Sequence, residues 1–144
     1  MTHTDVGVVE QTVRIAARPE TVWRYWTDPD RLRDWWGSAE LDARPGGEYV
    51  VEMDAGPTMR GQFVELVPHQ RIVFTFGWDP IDGGPQVPPG SSRVEVTLIA
   101  DDGDTILTLR HTGLPVAHAE EHRMGWAHFL TLLADAIHGQ KETT

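Results

Sequence analysis

The chain has 144 residues, enough for one domain with a real core and short of two. Its formal net charge of -10 and a pI near 5.0 argue against nucleic acid, whose phosphates require clustered Lys and Arg. It contains no cysteine, which excludes disulfides, thiolate catalysis and cysteine metal sites.

The first residues, MTHTDVGVVEQ, lack the basic-then-apolar layout of a signal peptide. No apolar run approaches the roughly 20 residues that span a bilayer, so a cytoplasmic protein without membrane insertion is expected. Val9, Gln11, Val13, Ile15 and Ala17 then alternate with Val8, Glu10, Thr12, Arg14 and Ala16, the two-residue period of a half-buried strand. Two short helices follow, PETVWRYW opened by Pro19 and PDRLRDWW capped by Asp28, and Gly37 ends the pair. Four of the six tryptophans fall here: Trp23, Trp26, Trp35 and Trp36. Trp23 and Trp26 are expected in the core, and one of Trp35 and Trp36 at the mouth of a cavity.

From there to residue 112 the chain reads as strands separated by turns. Pro45 to Gly47 precede a strand over Glu48 to Asp54, and Ala55 to Pro57 precede another over Thr58 to Val67. Ile72, Phe74, Phe76 and Trp78 alternate with Val73, Thr75 and Gly77, while Val94, Val96 and Leu98 alternate with Arg93, Glu95 and Thr97. Asp101 to Gly103 form a tight turn into Thr105 to Thr112. The connection from Asp79 to Ser92, DPIDGGPQVPPGSS, is longer than a hairpin needs and is a candidate lid or rim. The last element is a long helix over Leu114 to Gly139, with Trp126, Phe129, Leu130, Leu133 and Ile137 on one face and Glu120, Arg123, Thr131 and Asp135 on the other. His122 lies one turn before Trp126 on the apolar side. Such a sheet has one face to bury, and only the long helix is large enough to bury it.

In that order, the phrases RIAARPETVWRYWTDPDRLRDWWG, ARPGGEYVVEM, GQFVELVPHQRIVFTFGW, LTLRHTGLP and HRMGWAHFLTLLADAI resemble the START-like (SRPBCC, helix-grip) superfamily. Within it they look like the branch named after the C-terminal domain of the heat-shock-protein-90 ATPase activators. The resemblance implies an α+β helix-grip (START/Bet v-like) fold: one strand, two short helices, six more antiparallel strands, and a long C-terminal helix gripped by the curved sheet. It implies a single domain over residues 8–139, with 1–7 and 140–144 as flexible termini. It also implies an apolar cavity between sheet and helix that binds lipids, polyketides or similar hydrophobic molecules, or, in a minority of members, works as a cyclase or hydrolase. The eukaryotic chaperone activators carry a further N-terminal domain absent from these 144 residues, which weighs against chaperone activation.

Several residues are candidates for chemistry. His118-Ala119-Glu120-Glu121-His122 fits the H-x-x-E-H pattern of inverted zinc proteases, but a zinc protease needs a third ligand on a different scaffold. A solvated first helical turn is the preferred reading, and no metal or cofactor is expected. His111 shares a strand face with Leu107 and Leu109, so it points with the leucines. It is either a satisfied histidine at the sheet edge or a polar group at the cavity mouth with a pKa near neutrality, and His122 invites the same two readings. No serine stands in a nucleophile elbow, the carboxylates, Glu65 and Glu95 among them, are expected to face water, and no catalytic residue is nominated. The expected ligand contacts are Trp35, Trp78, Leu109, His111, His122, Trp126 and Phe129. The expected partner is a small hydrophobic molecule, the protein being a monomer or homodimer. A cavity-based cyclase or hydrolase with a histidine acid or base is the alternative function, and a co-chaperone-like ATPase-activating module is the third.

Overall fold

The computed structural model describes residues 6–53, 56–80 and 87–142. Strand β1 (Val6–Ile15) leads into helices α1 (Pro19–Thr27) and α2 (Pro29–Leu32). Strands β2 (Ser38–Leu41), β3 (Glu48–Glu52), β4 (Thr58–Val67), β5 (Arg71–Phe76), β6 (Ser92–Asp101) and β7 (Asp104–Pro115) follow, and helix α3 (Val116–Glu142) ends the series. The strands form one seven-stranded antiparallel sheet in the order β1-β7-β6-β5-β4-β3-β2. The sheet curves around α3, the expected helix-grip architecture. Among the described residues no helix is long and apolar enough to cross a membrane.

Local chemistry accounts for most boundaries. Pro19 sits at the start of α1, where its missing N–H costs nothing, and the Asp28 carboxylate accepts the Asp30 N–H at 3.0 Å to cap α2. Asp102 and Gly103, with φ of 55° and 87°, make the two-residue turn between β6 and β7 that matches strand twist. The inner face of the sheet carries Val9, Ile15, Phe63, Ile72, Phe74, Val94, Val96, Leu107 and Leu109. Against it α3 buries His122, Trp126, Leu130, Leu133 and Ile137, while Glu120, Arg123, Thr131 and Asp135 face outward.

The structure departs from the expectations at several places. Helix α2 stops at Leu32; beyond it the Asp34 and Trp35 N–H groups bond back three residues, to Arg31 and Leu32, so Trp35 and Trp36 lie in tight turns rather than on the helix. Leu114 and Pro115 belong to β7, not to the long helix. Gly113, at φ 84°, lets the strand run on and pair Leu114 with Gly7 of β1. Trp23 is half-buried at the edge of the core, its ring 5.9 Å from that of His69. Trp78 lies past the end of β5 and joins β4 only through an isolated bridge to Met59. Glu65 is exposed and Glu95 half-buried, and both hold Arg71, at 2.6 and 3.2 Å. Strand β1 begins at Val6 and α3 reaches Glu142, so regular elements extend past the 8–139 span on both sides. Residues 81–86 of the long connection lie outside the described residues.

Candidate functional site

Strand β5 delivers Phe74 and Phe76 to the inner face of the sheet, and the chain continues through Gly77 to Trp78. A Cβ at Gly77 would stand 2.2 Å from the Pro88 carbonyl oxygen, so only glycine fits. That close approach lets the Trp78 backbone N–H donate to the Val87 carbonyl at 2.7 Å, while the Asp79 N–H donates to Thr58 at 2.9 Å. Trp78 is thereby fixed between β4 and the far end of the long connection. From the opposite side α3 presents His122, Gly125, Trp126 and Phe129, whose three- and four-residue spacings put them on one face.

These residues, with Trp36, Phe76, Met53 and Pro57, enclose a cavity of about 270 Å³. Glu121, half-exposed, is the one charged residue bordering it among the described residues. The rings form a continuous wall. Trp36 lies 5.3 Å from Trp126, and Phe76 lies 5.0 Å from Trp78, 5.9 Å from Trp126 and 4.4 Å from His111, centroid to centroid.

Two indole–imidazole hydrogen bonds tie this wall together. The Trp78 Nε1–H donates to His122 Nε2 at 2.9 Å, and His122 Nδ1 lies 2.7 Å from the His118 carbonyl oxygen. A carbonyl only accepts, so the proton sits on Nδ1 and the ring is neutral. The Trp126 Nε1–H donates to His111 Nδ1 at 3.0 Å. His111 Nε2 stands 2.8 Å from Ser92 Oγ, which itself donates to the Phe76 carbonyl at 2.7 Å, so His111 must donate from Nε2. The two histidines are therefore opposite neutral tautomers, 5.8 Å apart. Burial, and next the neighbouring His122, lower the His111 pKa from 6.5 to about 3. Burial also lowers that of His122, against the opposing pull of the His118 carbonyl and Glu121. Neither ring carries charge near neutral pH.

Of the residues nominated from sequence, Trp78, His122, Trp126 and Phe129 border the cavity. Trp35, Leu109 and His111 do not. The Trp35 ring N–H donates to the Tyr25 carbonyl at 2.8 Å, which turns that side chain into the α1–α2 junction, and Trp36 lines the cavity instead. Leu109 is fully buried in the sheet face, and His111 lies behind Trp126 as its hydrogen-bond acceptor. The reading of His111 as a mouth residue with a near-neutral pKa is thus corrected, because the parity that aims it inward also removes it from water. The His118–Glu121–His122 spacing has a structural use: His118 Nδ1 meets the Glu121 carboxylate at 2.7 Å, and both His122 nitrogens already have partners. Sequence reasoning missed Phe76, Met53, Pro57, Glu121 and Gly125. Gly125 did leave a signal, since a glycine inside a helix costs about 1 kcal/mol relative to alanine and suggests that space beside the backbone is needed. One polar atom is left over: the Trp26 ring N–H is buried with no partner among the described residues.

The family described as Activator of Hsp90 ATPase homolog 1-like protein matches residues 16–138. The Activator of 90 kDa heat shock protein ATPase homolog 1 of Homo sapiens is 25% identical over 131 residues, which is 86% of this chain and 36% of that protein. The chain thus spans about a third of the length of the curated relatives it matches. The solution structure of an AHSA1-like protein from Rhizobium etli shares 43% identity and superposes with a TM-score of 0.70, covering 90% of this chain and 80% of that one. The crystal structure of a protein from Chromobacterium violaceum shares 29% identity with a TM-score of 0.74, covering 90% and 95%.

Proposed function

We propose, from the premise that this chain belongs to the family of Activator of Hsp90 ATPase homolog 1-like proteins, that its cavity takes up a small, largely apolar molecule. The observation that carries this reading is the cavity of about 270 Å³ walled by Trp36, Phe76, Trp78, Trp126 and Phe129. Pockets that hold small molecules are concave, mostly apolar and sparsely polar. A guest that gives up roughly 200 Å² of apolar surface gains about 5 kcal/mol before the costs of association. The contacts proposed are Trp78, His122, Trp126 and Phe129, joined by Trp36 and Phe76. His111 supports Trp126 from behind, and Trp35 supports Trp36.

Binding is preferred over acid–base catalysis because a histidine with both nitrogens occupied, and a pKa lowered by burial, has no free lone pair to take a proton and no charged form to give one near pH 7. The human relative's name attaches ATPase activation to a protein of which this chain matches 36%. Gly125 provides the test: a Cβ built there meets no atom within 4 Å, so Gly125→Leu should fill the cavity without disturbing the helix. Saturable binding of apolar fluorescent probes by the wild type, lost in Gly125→Leu at unchanged circular dichroism, is the expected result. Equal binding by both proteins, or none by the wild type, refutes the reading.

A further inference from the structure

The chemistry of the wall narrows the class of guest. Among the described residues no Lys or Arg borders the cavity; its one charged neighbour is the Glu121 carboxylate at the rim. The whole chain carries 22 acidic against 12 basic residues, so its field draws cations and repels anions. An aromatic ring is negative on its face and positive at its edge. In Trp78 and Trp126 the most positive edge atom, the ring N–H, is turned into the wall and covered by a histidine acceptor. Both histidines stay neutral, as their hydrogen bonds require, so the wall adds no positive charge of its own. Aromatic faces with a carboxylate beside them are what an organic ammonium ion seeks. The volume, about 270 Å³, falls below the roughly 300–1,000 Å³ of sites for drug-sized molecules.

We infer that the ligand of this cavity is a compact organic cation: an alkyl or quaternary ammonium on an apolar body of one or two rings, its charge against the tryptophan faces and Glu121. This inference rests on the reading that the cavity binds small apolar molecules, and it excludes fatty acids, phospholipids and other anions as its guests. A carboxylate or phosphate would meet Glu121 and the negative ring faces, with no cationic side chain among the described residues of the wall to offset them.

Three probes of similar size separate the possibilities: benzyltrimethylammonium, neopentylbenzene (the same shape with carbon in place of nitrogen) and phenylacetate. Binding is followed by the shifts of the Trp78 and Trp126 indole N–H signals in two-dimensional NMR. The cation should bind about tenfold more tightly than its carbon isostere, and phenylacetate should not bind over the same concentrations. Glu121→Gln, at an exposed position, should cut the cation's advantage over neopentylbenzene by about threefold. Gly125→Leu should abolish binding of both. Equal or tighter binding of neopentylbenzene overturns the cation assignment and leaves the cavity reading standing. Failure of all three probes to bind overturns the cavity reading as well. Cation binding that survives Gly125→Leu places the cation outside the cavity and overturns the assignment.

Discussion

Acid should loosen this protein through His111 well before its carboxylates are protonated. The ring is fully buried, neutral, and bonded at both nitrogens, and burial together with His122 holds its pKa near 3 against 6.5 in the unfolded chain. The unfolded state therefore takes up the proton first, and the stability contributed above pH 6.5 is lost as pH falls toward 3. At about 1.4 kcal/mol per pH unit, His111 alone should cost about 2–3 kcal/mol between pH 6.5 and 4.5. His122, lowered in the same direction, adds to the slope. Urea denaturation across that range measures the effect. His111→Asn keeps an acceptor near Trp126 without a titrating ring. It should be less stable at pH 7 by about 1–3 kcal/mol, as one bond of the Trp126–His111–Ser92 chain is weakened or lost, yet flatter toward acid. Ring-nitrogen NMR of the wild type should report His111 protonated on Nε2 and His122 on Nδ1. An unchanged pH slope in the variant, or a folded-state His111 titrating near 6.5, would refute the reasoning.

Three further outcomes follow from single contacts. Trp78→Phe removes the ring N–H that donates to His122 Nε2 at 2.9 Å, so the His122 titration midpoint should rise toward 6.5, read from ring-proton shifts; an unmoved midpoint would deny that bond its role. Gly125→Ala should raise thermal stability by about 1 kcal/mol, since the added methyl meets open space and helix propensity improves; a lower melting temperature would mean the space is not free. Gly77→Ala drives a Cβ into the Pro88 carbonyl, so it should displace the Val87–Ser91 segment, break the Trp78–Val87 bond and cost about 2 kcal/mol or more. Amide hydrogen exchange at Trp78 should accelerate, and wild-type protection there would count against the contact.

The fold was legible because its signals are local: the alternation in β1 and β7, the Asp102–Gly103 turn, the prolines that start α1 and α2, and the stripe on α3. The site was legible only in part, for two physical reasons. Helical spacing put Trp35 and Trp36 on an extended α2, but the regular helix ends at Leu32, after which the Asp34 and Trp35 N–H groups bond back three residues and the Trp36 N–H four, to Leu32. The Trp35 ring N–H is held by the Tyr25 carbonyl, a contact that spacing does not reveal, and Trp36 faces the cavity in its place. Strand parity, by contrast, gave the correct side for His111 with Leu107 and Leu109, all fully buried. Parity gives the side of a sheet and not the depth along it, so it could not tell a cavity contact from a residue behind the wall. The partners that decide the chemistry of His111 and His122, Trp126 and Ser92 for one and Trp78 for the other, come from different elements and leave no local pattern.

The pairing of tryptophan with histidine resolves a problem that an aromatic cavity creates for itself. Each indole brought in to supply apolar surface also brings an N–H, and burying that donor without an acceptor costs about 1–3 kcal/mol. Trp35 finds the Tyr25 carbonyl and Trp26 finds no partner among the described residues, whereas Trp78 and Trp126 give their N–H to a histidine nitrogen. A neutral imidazole accepts with one nitrogen and donates with the other, so it covers an indole edge and passes its own donor back to the backbone or a hydroxyl without adding charge. His122 returns its proton to His118, and His111 returns its proton through Ser92 to Phe76. Burial makes the arrangement self-consistent, because the same desolvation that the indoles impose lowers the histidine pKa and keeps the acceptors open. Two residues that look like an acid and a base on paper are thus the means by which ring faces, rather than polar edges, are turned toward the cavity.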